Sequence, residues 1–332
     1  RGQGLLLANE YDPARASVLR QNLERMGVTN AVVTNEDTAR LAAALPGVFD
    51  RVLVDAPCSG EGMFRKEAAA AAQYSPALVG HCAALGASIL DAAAALVKPG
   101  GYLLLSTCTF APQEDEAQAA AFLARHPAFV QCDLSACGFG RPGEENRAPA
   151  AEAAFSAAGC RRIWPADGGE GHFMALLQKR EDAPAPPRPG KPWRTGKPPK
   201  EWLDFAKDLF PFLAAAPGCS AGDFWMLLPA AALPETKLHI LRAGVPAGRA
   251  VKGRFEPAHA LFMAYGARCR NREELTLADP RTAAWLRGEE IPAQTAAPGW
   301  CAVLVDGLPL GGGKVSGGRV KNHYPKALRN LG

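Results

Sequence analysis

Two cysteine-bearing runs hold the residues with the clearest chemistry in this chain. Asp55-Ala56-Pro57-Cys58-Ser59-Gly60-Glu61-Gly62-Met63-Phe64-Arg65-Lys66 opens by packing a carboxylate, a rigid proline and a thiol into four residues. Its glycines let the chain turn tightly and approach a ligand closely. The run Ser106-Thr107-Cys108-Thr109-Phe110, followed by Pro112, Gln113 and Glu116, places a second thiol just past the apolar stretch Leu103-Leu104-Leu105. A thiolate is both a strong nucleophile and an acceptable leaving group near neutral pH. Those two properties suit covalent catalysis on cytosine, whose C5 is too weakly nucleophilic to take a methyl group unaided. A thiolate that adds to C6 makes C5 enamine-like, C5 attacks a sulfonium methyl, and loss of the C5 proton expels the thiol. A nearby acid assists by protonating N3. Taken singly, each cysteine reads more readily as a buried structural thiol. Together, each at a strand's carboxyl end and one beside Asp55, they favour chemistry.

The elements that must position these runs are legible as alternating strands and helices over residues 1–180. A strand over 5–8 ends at Asn9-Glu10. A helix over 13–26 carries Ala14, Val18, Leu19, Leu23 and Met26 on one face and stops at Gly27. A strand over 31–33, a short helix over 38–45, a buried strand over 49–54, a long Ala/Leu helix over 75–97, a strand over 102–106, a helix over 113–125 and a strand over 173–177 follow. This alternation predicts an α/β core with a mostly parallel sheet and helices on both faces. Ligands in such folds bind at the carboxyl ends of strands, where Glu10, Asp55 and Cys108 all fall. If the strands of Asp55 and Cys108 are neighbours, both thiols face one cleft.

Beyond the core, residues 181–200 hold seven prolines and five basic residues and read as an extended linker. Residues 201–265 read as an α+β unit, and residues 266–332 as a β-rich, barrel-like module. Of the 332 residues, 48% are hydrophobic and 21% charged, as in an ordinary globular protein. No uninterrupted apolar run is long enough to cross a bilayer, and no signal peptide is evident, so a cytoplasmic location without a membrane is the default. The nine cysteines are scattered without a C-x-x-C pair, which argues against a disulfide framework and against a metal site. Residues 1–180 hold 16 basic and 19 acidic side chains, and residues 181–332 hold 21 and 14. The last 22 residues carry five Lys or Arg and no acid. Such an end suits a polyanion such as RNA, and on charge alone it serves equally as a solvated tail.

Both cysteine runs resemble the fourth and sixth motifs of the Sun-type RNA (cytosine-5)-methyltransferases, the RsmB/RsmF family, and most closely its bacterial RsmF branch, which modifies small-subunit ribosomal RNA. Arg162-Ile163-Trp164-Pro165 with Gly169-Glu170-Gly171-His172-Phe173 is similar to the branch's last core motif. Lys252–Leu261 resembles its C-terminal extension, and Asp306–Gly311 with Lys321–Lys326 its terminal RNA-binding module. The resemblance implies a Rossmann-like class I core that uses S-adenosylmethionine, a small α+β extension and a PUA-like module. It implies Cys108 as nucleophile, Cys58 as the thiol that assists product release, and Asp55 as a contact to cytosine and the methyl-donor region. Glu10 would bind the cofactor ribose, as a carboxylate at a strand end suits a diol, and Asp37 would sit by the adenine. Lys66, Lys321, His323, Tyr324 and Lys326 would touch RNA, with small-subunit rRNA as the partner and no obligate protein partner.

The chain departs from that family in one respect. The family's glycine-rich first motif precedes the strand that ends at Glu10, and this sequence starts nine residues before Glu10. Gly311-Gly312-Gly313 has no following helix and does not replace it. The expectation is a fragment whose S-adenosylmethionine binding is weak or absent; calorimetry showing low-micromolar affinity would contradict it. A DNA cytosine methyltransferase is disfavoured because no E-N-V motif follows Pro57-Cys58, and an amino-group methyltransferase because no P-P-aromatic run follows Asp55. The remaining alternative is a non-catalytic ribosome-binding or assembly factor that keeps a methyltransferase fold.

Overall fold

The computed structural model describes all residues except 1–2, 146–154, 185–189, 192, 232 and 330–332. Part of the linker expected over 181–200 therefore lies outside the described residues. The chain forms two compact units, one of residues 1–36 with 191–332 and the other of residues 37–190.

In the first unit, β1 (Leu6–Asn9) and β2 (Ala31–Thr34) pair in parallel, with Leu6 opposite Ala31 and Asn9 opposite Thr34. The helix between them, α1 (Pro13–Arg25), starts where the sequence supplies a cap and a proline at the first turn: Asp12 accepts from the Arg15 amide. Such a cap stabilises a helix by roughly 1 kcal/mol.

The second unit holds both cysteine runs. After α2 (Thr38–Ala44), strand β3 (Phe49–Asp55) leads into the first run. A short helix, α3 (Ala68–Gln73), and a long one, α4 (Pro76–Leu96), connect it to β4 (Val97–Thr107), which leads into the second. Then come α5 (Glu116–Arg125), β5 (Phe129–Cys132), β6 (Arg141–Pro142), β7 (Arg161–Ile163) and β8 (His172–Lys179). β3 and β4 are parallel neighbours, with Asp55 opposite Ser106. β8 pairs antiparallel with β4, β5 and β7, and the sheet order is β3-β4-β8-β7-β6.

This differs from the mostly parallel sheet expected from the strand–helix alternation. Within this sheet, among the described residues, only β3–β4 is parallel, because β8 enters after short strands rather than after a crossover helix. The pair β1–β2 belongs to a separate three-stranded sheet. At the edge of its own sheet, β3 leaves Leu53 exposed. By length and composition α4 is apolar enough to cross a bilayer. It is nevertheless a core helix: Leu90, Ala93 and Ala94 join Val54, Leu103, Leu105, Phe122 and Phe173 in one buried cluster. Its Asp91 is paired with Arg125 and His126.

The rest of the first unit begins with α6 (Lys200–Leu209), followed by β9 (Gly218–Ala221), β10 (Phe224–Leu227), β11 (Ile240–Ala243), β12 (Val245–Val251), β13 (Arg254–Pro257) and α7 (His259–Tyr265). β11 pairs antiparallel with β2, which ties residues 1–36 to the C-terminal half. Trp202, Phe210, Trp225, Phe255 and Phe262 pack together in this part. Last come β14 (Arg272–Leu275), α8 (Pro280–Arg287), β15 (Ile291–Pro292), β16 (Gly299–Val305), β17 (Leu308–Ser316) and β18 (Arg319–Asn322). These strands form a five-stranded sheet around Trp285, Cys301 and Val303.

Candidate active site

The parallel pairing of β3 and β4 puts the two cysteine runs side by side. The Ala56 amide donates to the Ser106 carbonyl at 2.9 Å, carrying the register one step past Asp55. Three residues beyond Asp55, Cys58 Sγ lies 3.3 Å from Cys108 Sγ. The loops are then locked to each other. The Gly62 amide donates to the Cys108 carbonyl, and the Glu61 carboxylate accepts from the Phe110 amide and the Thr109 hydroxyl. Thr109 in turn accepts from the Ser59 hydroxyl at 2.8 Å, and the Ser59 amide donates to Glu114. Gly62 is required by space rather than by backbone angle. A Cβ there would come within 2.8 Å of the Cys108 and Glu170 carbonyl oxygens.

The two thiols are not equivalent. A hydrogen bond from Cys58 lowers Cys108 to about 7, against burial and the nearby carboxylates of Asp55 and Glu114. The same hydrogen bond, reinforced by burial, raises Cys58. Near neutral pH the pair thus leans toward a Cys108 thiolate accepting from a Cys58 thiol, with Asp55 at the exposed end of β3.

A second tier lies under the loops. Thr107 donates to Asp115, Arg162 clasps Glu116, and Ser106 bonds His172 Nε2 at 2.7 Å. Trp164 stacks on Phe110 with ring centroids 4.9 Å apart. Glu61, Thr109, Glu114 and Asp115 carry no local pattern that marks them as site residues. Their one signal is a place within or beside the two motif runs. Glu114-Asp115-Glu116 has the composition of a solvated acidic helix start, yet all three are buried.

The other expected residues fall as follows. Lys66 makes a surface ion pair with Glu170 at 3.5 Å. Glu10, in the first unit, accepts from the Asp12 amide on one oxygen and pairs with Arg15 on the other. Each oxygen keeps a second acceptor site, so the carboxylate fits the hydroxyls of a ribose. Asp37 caps α2 through Oδ1, accepting from the Ala39 and Arg40 amides. In the C-terminal sheet Trp300, Lys314 and Lys321 stand in register across β16, β17 and β18. The Lys314 ammonium lies over the Trp300 ring, and His323 packs against that ring at 4.5 Å. Burial and the two lysines push His323 down. Lys326 is exposed on a short turn. Tyr324 turns inward, packing on the core of this sheet and edge-on to His259, so its ring is not an open stacking platform.

Comparison with known proteins extends over most of the chain. The family model for 16S rRNA methyltransferase RsmB/F matches residues 1–178. Models for the RsmF rRNA methyltransferase first C-terminal domain and the methyltransferase RsmF PUA domain match 204–265 and 272–330. The chain is 33% identical to ribosomal RNA small subunit methyltransferase F of Aeromonas hydrophila, across 98% of this chain and 69% of that protein. It is 34% identical to the protein of the same name from Aeromonas salmonicida, across 98% and 68%. A methyltransferase homolog from Pyrococcus horikoshii is similar in structure, with a TM-score of 0.45 and 25% identity over 54% of each chain.

Proposed function

This chain belongs to the 16S rRNA methyltransferase RsmB/F family, and on that premise we propose that it forms 5-methylcytosine in small-subunit rRNA by covalent attack of Cys108 on cytosine C6. The observation that carries the mechanism is the asymmetric thiol pair. Cys108 Sγ, favoured as the thiolate by the Cys58 thiol at 3.3 Å, forms a bond to C6 while the C5=C6 electrons shift into C4–C5 and the C4=N3 electrons onto N3. Asp55, at the rim, meets the polar edge of the ring, where N3 takes a proton as the adduct forms. S-adenosylmethionine, when bound, supplies an electrophilic methyl for C5. Cys58 assists the last step, in which C5 and N3 give up their protons to water, the double bond re-forms and Cys108 leaves as thiolate. The target base must be unstacked from its neighbours for a thiol to reach C6.

Glu10 would hold the cofactor ribose and Asp37 the adenine side. Lys66, Lys321, His323 and Lys326 supply RNA contacts, with Tyr324 supporting that surface from within. The enzyme would act in the cytoplasm. The division of labour is a methyltransferase core over 1–180, a linker over 181–200 and two accessory modules over 201–265 and 266–332. The stretches matched by the three family models support it. The test is transfer of labelled methyl from S-adenosylmethionine to small-subunit rRNA. The parent protein should label cytidine C5 and Cys108→Ala should not; label retained by Cys108→Ala would overturn the mechanism.

A further inference from the structure

Beneath the cysteine loops lies a buried polar cluster that takes no direct part in the reaction. Thr107, the residue before Cys108, donates its hydroxyl hydrogen bond to Asp115 Oδ1 at 2.5 Å. Asp115 Oδ2 lies 2.8 Å from Arg162 Nη2. Arg162 grips Glu116 in a two-pronged pair, Nε to Oε1 at 2.7 Å and Nη2 to Oε2 at 2.5 Å. Thr107, Asp115, Glu116 and Arg162 are each 1% exposed or less. Trp164 and Phe173 flank the guanidinium at 5.4 and 5.2 Å. Trp164 also stacks on Phe110, two residues beyond Cys108. The nucleophile's loop is thus held on both sides of Cys108 by one cluster.

Stability is a weak reason for such a cluster, since well-packed apolar residues often serve as well or better than buried ion pairs. Its placement gives a stronger one. We propose that Asp115 is a positioning residue: through Thr107 it fixes the Cys108 thiol within reach of Cys58, and the Arg162–Glu116 pair is the strut that fixes Asp115.

The charge balance agrees with that role. Asp115 faces Arg162, Glu116 and Glu114, and Cys160 lies among the same side chains. Burial outweighs the pull of Arg162 and pushes Asp115 up to about 8. Burial thus favours the neutral form of the acid, in which Arg162 is balanced by Glu116. A neutral Asp115 can hold Thr107 without placing another anion under the Cys108 thiolate, where it would raise the thiol.

The relevance to methyl transfer rests on reading Cys108 as the nucleophile, but the test reads the thiol directly. The rate of Cys108 alkylation by iodoacetamide, followed by peptide mass spectrometry against pH, should rise through about pH 7 in the parent. In Asp115→Ala the midpoint should move toward that of an ordinary thiol, slowing alkylation at pH 7 by about tenfold. Asp115→Asn, which keeps the shape and a group that can bond Thr107, should keep the parent midpoint. Should Asp115→Ala fail to fold, Thr107→Val removes only the hydroxyl and must show the same rise. A parent-like midpoint in folded Asp115→Ala or in Thr107→Val overturns the proposal, as does an Asn variant that behaves like Ala. Failure of the nucleophile reading has a different signature: methyl transfer survives in Cys108→Ala whatever the alkylation profile.

Discussion

Cys58 Sγ and Cys108 Sγ lie 3.3 Å apart on loops that leave two adjacent parallel strands. One short contact thereby pushes two chemically identical groups in opposite directions, Cys108 toward the thiolate and Cys58 toward the thiol. Removing the donor should remove the division. In Cys58→Ala the pH midpoint for Cys108 alkylation should rise from about 7 toward the ordinary thiol value. Because the reactive form is the deprotonated one, parent and variant should both react faster as pH increases, with the Cys58→Ala curve displaced to higher pH. Superimposable curves would show that Cys58 does not set the acidity of Cys108.

The loops should be intolerant of added volume at Gly62. A methyl group there meets the Cys108, Glu170 and Gly171 carbonyl oxygens, all at 3.0 Å or less and all on backbone that cannot swing aside. Overpacking of this kind costs about 1–3 kcal/mol. Gly62→Ala should lower the urea midpoint accordingly and reduce methyl transfer by more than the decrease in folded protein explains.

Arg162 is the only cation paired with the buried carboxylates of Asp115 and Glu116 among the described residues. Arg162→Met keeps an apolar stem but strands the Glu116 charge. Breaking a buried pair from one side costs roughly 3 kcal/mol or more, which equilibrium urea unfolding would register. A change below about 0.5 kcal/mol would mean that the cluster relaxes around the substitution.

Asp115 gives a pH dependence of stability with the sign opposite to that of most carboxylates. Its folded value is raised to about 8 from an ordinary 3.8. Between those values the unfolded chain releases the proton and the folded chain keeps it, so unfolding is increasingly favoured as pH rises. From pH 5 to pH 8 the parent should lose stability relative to Asp115→Asn, which cannot titrate. Parallel stability curves for the two proteins would contradict the assignment.

The C-terminal row of Trp300, Lys314 and Lys321 should grip RNA through phosphate charge. Replacing both lysines by alanine should flatten the slope of log affinity against log salt by about 1.4, since each single-strand phosphate left without its cation is worth about 0.7. Fluorescence anisotropy over a salt series with a single-stranded small-subunit rRNA fragment measures it. An unchanged slope would move the RNA interface to another surface.

Much of this site is legible in the sequence, for a physical reason. A thiol held beside a strand end needs a tight local run, so Asp55, Cys58 and Cys108 stand out within short motifs. That β3 and β4 run parallel follows from strand–helix alternation, but their adjacency comes from the fold. Long-range partners do not follow from that alternation. β2 pairs with β11, a strand of only four residues more than 200 positions away, and no local pattern encodes that choice. The acids of Glu114-Asp115-Glu116 look solvated in sequence because their partners, Ser59, Thr107 and Arg162, arrive from other elements. Tyr324 reads as a stacking ring from its basic neighbours, but its packing against His259 and the sheet core depends on α7.

Covalent trapping reads directly which thiol attacks cytosine C6. The protein is incubated with S-adenosylmethionine and 5-fluorocytidine-substituted small-subunit rRNA, and denaturant-stable protein–RNA adducts are resolved on a gel. Fluorine at C5 blocks the final proton loss, so the thiol that attacked C6 stays bonded to the RNA. An adduct is expected in the parent and none in Cys108→Ala. An adduct that persists in Cys108→Ala and disappears in Cys58→Ala would contradict it by exchanging the roles of the two cysteines.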